Sequence, residues 1–206
     1  MMDERITLID EIISTEWEMF ATVRNVGGEA ACQQQPETFD QQRRSQYLTW
    51  PTIVLCSYRD DVRAAQAEGR NLMTEKYARM MQRTDPDAYA DLEDWLEPLD
   101  EEAEALVNET ATRIMAWEEA VRERYPFIVE RGRDLSSDEA SRQGTSFETY
   151  LRAELATYSL RTLRLYARHL RSLADAGKNG SELVYEQLVR LYGYDGLDEA
   201  NARMAP

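Results

Sequence analysis

Apolar residues recur every three or four positions through almost the whole chain, and this period constrains the fold more than any other feature. An α-helix has 3.6 residues per turn, so this spacing places the apolar side chains on one face of each segment. We find no convincing run in which apolar and polar residues alternate, as they do in half-buried strands. The sequence therefore predicts an all-α protein.

Capping and turn residues divide this pattern into about seven helices. The first is predicted from about residue 3 to residue 24, and residues 145–173 are predicted to form one long, central C-terminal helix. Thr145 and Glu148 fit a capping box at the start of that helix. Other boundaries are predicted at Gly27-Gly28, Trp50-Pro51, Gly69, Asp85-Pro86, Pro98, Tyr125-Pro126 and Gly193. We expect residues 1–206 to form a single-domain helical bundle.

The charge of the chain and its short apolar runs exclude several classes of partner. The 206 residues include 39 acids and 24 bases, which gives a net charge of −15. Such a surface repels phosphate backbones, so we expect no nucleic-acid binding. The apolar runs fall far short of the roughly 20 residues that span a bilayer, and no signal-peptide pattern is present. We expect a soluble, cytoplasmic protein with no membrane association.

Histidine and cysteine are too scarce for most metal and triad chemistry. A Ser-His-Asp or Cys-His arrangement would need His169, the single histidine, and no nucleophile elbow or phosphate-binding loop occurs. We interpret His169 as a core or boundary residue, and Cys32 and Cys56 as reduced, buried thiols. No cofactor and no metal are expected, although carboxylates alone form a third alternative as ligands of a hard cation.

Three ionisable residues interrupt the apolar faces of the predicted helices. Glu16 lies in the middle of the stripe formed by Ile9, Ile12, Ile13, Met19, Phe20 and Val23. Lys76 and Glu154 interrupt the faces of two later helices in the same way. An unpaired buried carboxylate is costly, so Glu16 must be protonated, paired or bound to a ligand.

If these three side chains converge in a pocket between the first helix, the 70–83 helix and the long C-terminal helix, they suit metal-free acid–base chemistry on a small polar or anionic metabolite. Glu16 and Glu154 would transfer protons, and Lys76 and Arg152 would hold an anion. Further candidates for ligand binding are the amides and hydroxyls of Asn25, Gln33, Gln46, Tyr77, Tyr150 and Tyr158. The same groups could instead form a buried ion-pair network that fixes helix register, and the sequence leaves open whether the chain is an enzyme.

Two oppositely charged segments favour a different hypothesis, a non-enzymatic interaction domain. Residues 85–104 contain ten acids and no base, whereas four arginines repeat at helical spacing between residues 161 and 171. Exposed and contiguous, these surfaces would suit a protein partner or a homodimer. Paired with each other, they would be an ordinary charged surface.

Five phrases carry a resemblance to a known family: EWEMFATVRNVGGEAACQ (16–33), RRSQYLTW (43–50), GRNLMTEKYARMMQRTDPDAY (69–89), TSFETYLRAELATYSLRTLRLY (145–166) and YGYDGLDEA (192–200). On these phrases the chain resembles the bacterial domain-of-unknown-function family 4125 over nearly its whole length. The resemblance implies no particular reaction. The phrases fall where polar residues interrupt apolar faces, which favours a small-molecule site between helices.

Overall fold

The computed structural model describes residues 2–24, 31–130, 135 and 145–206, and these ranges contain helices and no strand. The α-helices are α1 Met2–Ala21, α2 Pro36–Tyr47, α3 Thr52–Ala67, α4 Leu72–Thr84, α5 Pro86–Ala90, α6 Glu101–Arg124, α7 Pro126–Val129, α8 Phe147–Leu155, α9 Leu160–Asp175, α10 Gly180–Leu191 and α11 Leu197–Met204. Short 3₁₀ helices cover Ala31–Gln34 and Glu93–Trp95. The predicted all-α, single-domain class is confirmed, with eleven described α-helices instead of about seven.

The ends of the helices follow from their capping residues. Asp85 accepts a hydrogen bond from the backbone N–H of Ala88 at 3.2 Å and so begins α5, as predicted. Gly69, with φ of 71°, follows α3 in the left-handed conformation that glycine adopts readily. At the start of α8 the prediction is wrong by one residue, because Ser146 and not Thr145 is the N-cap. The predicted cap at Gly27-Gly28 lies outside the described residues.

The predicted helix over residues 145–173 is two helices in the structure. Ser159 has extended backbone angles, and its hydroxyl accepts from the backbone N–H of Thr162 at 3.2 Å. Its own backbone N–H donates to the carboxylate of Asp61 on α3 at 3.1 Å. A serine that caps a helix competes with continuation of the preceding one, so α8 ends and α9 begins here.

The helices pack around one large apolar core. Helix α1 packs on α2, α3 and α4, while α9 packs on α3 and α6 and α10 packs on α2 and α6. A second, smaller apolar cluster joins the end of α6 to α7, α10 and α11. None of the described helices combines the length and the apolar character that crossing a bilayer would require. Four charged residues, Glu16, Arg43, Lys76 and Glu154, are buried among these packed helices.

The serine that separates α8 from α9 provides a test of this local structure. We expect Ser159→Ala to lower the free energy of unfolding by about 1 kcal/mol, because the backbone N–H of Thr162 loses its acceptor. Ser159→Thr keeps the hydroxyl, so its free energy of unfolding should fall much less. Urea denaturation measures both values, and equal stability of the alanine variant and the wild type would contradict the cap.

Candidate functional site

The guanidinium group of Arg43 lies at the centre of a buried polar network. Its Nε donates to Glu16 at 2.8 Å and its Nη1 donates to Glu154 at 2.7 Å and to Gln46 at 3.3 Å. Its Nη2 donates to the second Glu16 oxygen and, at 2.7 Å, to the hydroxyl of Tyr47. An arginine has five N–H donors, so all of them are used within the protein.

The carboxylate of Glu16 is fully buried and fully paired. Its Oε1 accepts the hydroxyl protons of Tyr47 and Tyr58, both at 2.7 Å, as well as the Arg43 donor. Burial raises the pKa of both tyrosine hydroxyls, so they remain protonated donors. Glu16 interrupts its apolar stripe because this cation and these hydroxyls meet it there.

Glu154 connects the same network to Lys76. Its Oε1 accepts from Arg43 and from the Tyr158 hydroxyl at 3.1 Å, and its Oε2 lies 3.3 Å from the Lys76 ammonium. Burial alone would raise the pKa of Glu154, but Arg43 and Lys76 outweigh it and lower that pKa to about 2. The Lys76 ammonium also donates to the Tyr150 hydroxyl at 2.6 Å. Burial works to lower the pKa of Lys76, yet the tyrosine and Glu154 raise it above its ordinary value.

The structure thus brings together several residues singled out from the sequence. The three proton-transfer and anion-holding candidates Glu16, Glu154 and Lys76 belong to one network, as do Gln46, Tyr150 and Tyr158. Two carboxylates and two cations make this network neutral overall. Its organising residue, Arg43, escaped the sequence analysis because α2 is polar on most sides and Arg43 has another arginine beside it.

The other candidates lie elsewhere or serve other contacts. The Gln33 amide donates to the carbonyl of Phe20, in the last turn of α1, and to that of Val23, just after this helix. Tyr77 packs against Phe20. Arg152 donates to Glu148 and to an asparagine of α6, facing a separate surface groove. Asn25 and the side chain of Cys32 lie outside the described residues.

A cavity of about 250 Å³ adjoins this network between α2, α6, α8, α9 and α10. Helices α1 and α4 do not contribute to it, so its position differs from the predicted one, between the first helix, the 70–83 helix and the C-terminal helix. Arg43, Gln46, Tyr150 and Glu154 form one part of its wall, whereas Glu16 and Lys76 do not line it. Its apolar walls come from Ile114, Trp117, Phe147, Leu151, Leu170, Leu173, Val184 and Leu188.

Two further ionisable residues line the cavity. Glu118 on α6 is 8% exposed and accepts from the Tyr185 hydroxyl at 3.1 Å. Burial raises the pKa of Glu118, although Ser181 and Tyr185 bond to it and oppose the rise. His169 has a buried Nε2 with no hydrogen-bond partner among the described residues. Burial lowers the pKa of His169, while a bond to the Thr49 carbonyl opposes this, so its imidazole is neutral near pH 7.

Glycine at position 180 shapes one side of the cavity. A Cβ atom built on Gly180 would lie 2.5 Å from the indole ring of Trp117, closer than real Cβ atoms come. Trp117 lines the cavity, and its carbonyl accepts a hydrogen bond from Asn179, the N-cap of α10. The missing side chain therefore lets the indole lie directly against the start of α10.

The two charged segments of the sequence meet on the surface. Arg164 pairs with Glu102, which belongs to the acidic segment, at 2.5 Å. Arg171 pairs with Glu109 on the same helix at 2.5 Å, and Arg161 lies 3.9 Å from Asp60. The first of these contacts joins the two charged segments, and the other two pair the arginines with acids outside residues 85–104.

The sequence model of a family described as "Protein of unknown function (DUF4125)" matches residues 6–202. The chain belongs to this family. No curated protein and no solved structure matches this DUF4125 member. Within the described ranges of this DUF4125 chain, no cluster of three or more His, Cys, Asp or Glu side chains is arranged to hold a metal ion.

The buried arginine and its partly exposed neighbour offer a matched pair of variants. We expect Arg43→Met to lower the free energy of unfolding by about 3–5 kcal/mol, because Glu16 would remain buried without a cation and Glu154 would keep only Lys76. Arg44→Met removes ion pairs with Asp10 and Asp40 at the surface and should cost about 1 kcal/mol or less. Chemical denaturation compares the two, and similar losses would contradict the central role of Arg43.

The lowered pKa of Glu154 predicts a specific dependence of stability on pH. A carboxyl group whose pKa is lowered by folding contributes fully above its ordinary pKa and loses that contribution as the pH falls through its folded pKa. Between pH 4.5 and about 2, the wild type should lose on the order of 3 kcal/mol from this group, a loss that Glu154→Gln lacks.

The measurement is the free energy of unfolding at a series of acidic pH values. Glu154→Gln should be less stable than the wild type near pH 7 and should show a shallower fall below pH 4.5. Glu119→Gln, on the exposed side of α6, is the reference for loss of a surface carboxylate. Parallel curves for Glu154→Gln and the wild type would refute the ion-pair assignment.

Proposed function

We propose that this protein binds a small molecule in the cavity between α2, α6, α8, α9 and α10. The observation that carries the proposal is the combination of apolar walls with polar groups that line one partly open cavity. Binding sites for small molecules have this composition: mostly apolar linings and a few polar groups that fix orientation. The volume of about 250 Å³ exceeds the roughly 150 Å³ that accommodates a benzene ring.

The buried Nε2 of His169 supports the same proposal. A buried polar atom without a partner is unfavourable, and such atoms are rare in folded proteins. His169 lines the cavity, and a rotation of its ring toward a ligand with a hydrogen-bond donor would supply the missing partner of this covered atom. Glu154 and Glu118 provide further acceptors on the cavity wall.

We propose that the protein binds a ligand in this cavity, and not that it carries out the acid–base reaction that the spacing of residues in the sequence suggested. Glu16 does not line the cavity and is committed to Arg43 and two tyrosine hydroxyls. Glu154 lines the cavity, but its pKa of about 2 lies far below the neutral range in which a general acid or base works best. Lys76 is likewise held behind the wall by Glu154 and Tyr150. In this proposal Glu154 is a polar group of the cavity wall that contacts the ligand, and Lys76 fixes its position.

Filling the cavity tests the proposal. A panel of metabolites is screened for compounds that raise the melting temperature, because a ligand of the folded state stabilises it by mass action. Val184 lines the cavity and Leu183, beside it on α10, does not, so Val184→Trp and Leu183→Trp form a matched pair. We expect hits to stabilise the wild type and Leu183→Trp but not Val184→Trp. Hits that stabilise all three proteins equally, or a panel without hits, would contradict the proposal.

A further inference from the structure

We infer that the ligand of this cavity is an organic ammonium ion: an amine, protonated at neutral pH, attached to an apolar body of about one ring. This inference rests on the proposed function and specifies the chemical class of its ligand. It reverses the expectation from the sequence that an anion would be bound by Lys76 and Arg152. The donors and acceptors on the cavity wall that are already used within the protein decide between a cationic and an anionic ligand.

The donors on the wall are largely committed to partners within the protein. Arg43 uses all five N–H groups, as described above. The hydroxyl of Ser45 donates to the Gln42 carbonyl, and that of Thr49 donates to the Gln46 carbonyl. Tyr185 donates to Glu118. An anionic ligand would therefore have to break these bonds before it could use the N–H and O–H groups of these four residues.

Acceptors are available on the same wall. Each carboxylate oxygen accepts more than one hydrogen bond, and among the described residues Glu154 Oε2 has a single polar contact, a long one of 3.3 Å to Lys76. The Nε2 of His169 is buried and has no partner in the described part of the chain. Since the Thr49 carbonyl takes the proton of the other ring nitrogen, Nε2 carries a lone pair. The wall thus matches a ligand that donates hydrogen bonds.

The charge on the wall also favours a cation. Arg43 and Lys76 balance Glu16 and Glu154, which leaves the carboxyl of Glu118 without an ion pair among the described residues. The start of α10 faces this carboxyl through Ser181 and carries a partial positive charge of about half an elementary charge. Arg122, on the next turn of α6, also attracts this carboxyl but forms no ion pair with it within 4 Å, so a monovalent cation in direct contact would supply the pairing that Glu118 lacks.

Aromatic side chains on the wall suit the same ligand. Trp117, Phe147, Tyr150, Tyr166 and Tyr185 all line the cavity, and aromatic faces attract ammonium groups. The aliphatic residues between them accommodate an apolar body. The cavity of about 250 Å³ has room for one ring and a short aminoalkyl chain.

Three compounds of nearly one shape test the inference on the intact protein. The probes are 2-phenylethylamine, 2-phenylethanol and phenylacetate, which carry a cation, a neutral hydroxyl and an anion respectively. Binding is measured by calorimetry and thermal shift at neutral pH. We expect the amine to bind at least about tenfold more tightly than the alcohol, and phenylacetate to bind weakest, because a charge-assisted hydrogen bond is the stronger kind.

Substitution of Glu118 links the preference to this wall. In Glu118→Gln the advantage of the amine over the alcohol should shrink by about tenfold, whereas Glu119→Gln, on the exposed side of α6, should keep it. Because both measurements are ratios between ligands on one protein, a general loss of stability in a variant leaves them interpretable. An unchanged ratio in Glu118→Gln would overturn the inferred role of this carboxyl.

The outcomes separate this inference from the proposed function. If neutral or anionic compounds stabilise the wild type and Leu183→Trp, but not Val184→Trp, at least as strongly as the amine does, the cavity is a binding site and the ammonium inference is wrong. If neither the three probes nor the metabolite panel bind at the cavity, the proposed function and the inference both fail. Preferential binding of the amine that Val184→Trp abolishes would support both.

Discussion

One guanidinium group joins four helices of this protein. From α2, Arg43 bonds directly to Glu16 of α1 and Glu154 of α8, and Tyr58 of α3 reaches the same Glu16 carboxylate. The planar fork of an arginine fixes the positions of its acceptors more strictly than an apolar contact does. A shift of one of these helices along its axis would leave a buried charge unpaired, which costs several kcal/mol. The apolar core supplies the driving force for folding, and this network restricts how the helices meet.

The network also determines what the adjoining cavity offers. Arg43 and Lys76 hold Glu154 from the core side, so its remaining lone pairs face the cavity from a fixed position. Lys76 and Arg152, which the sequence suggested as partners of an anionic ligand, are instead paired with the carboxylates of Glu154 and Glu148. Because these ion pairs use the donors of the cations, the unpaired polar groups that remain on the cavity wall are mainly hydrogen-bond acceptors.

Helical periodicity was sufficient to predict the fold class and the burial of Glu16, Lys76 and Glu154. Each has apolar neighbours three and four residues away, and each is at most 6% exposed. Periodicity could not identify Arg43, because α2 has few apolar residues and its pattern does not distinguish Arg43 from Arg44. It also missed the break before α9, since Tyr158 and Thr162 keep helical phase across the break and only the cap of Ser159 interrupts it. The cavity depends on how five helices meet, which no local pattern encodes.

The contact between Gly180 and Trp117 has a consequence for the range of molecules that such a cavity can admit. Any side chain at position 180 would push the indole of Trp117 away from α10. Since this ring lines the cavity, the displacement would change the width available to an occupant. If the cavity binds a ligand as proposed, the residue at this single backbone position would set the size that fits, although it contributes no side chain of its own. Chains that share this fold but carry alanine at the corresponding position would accommodate a different size of ligand.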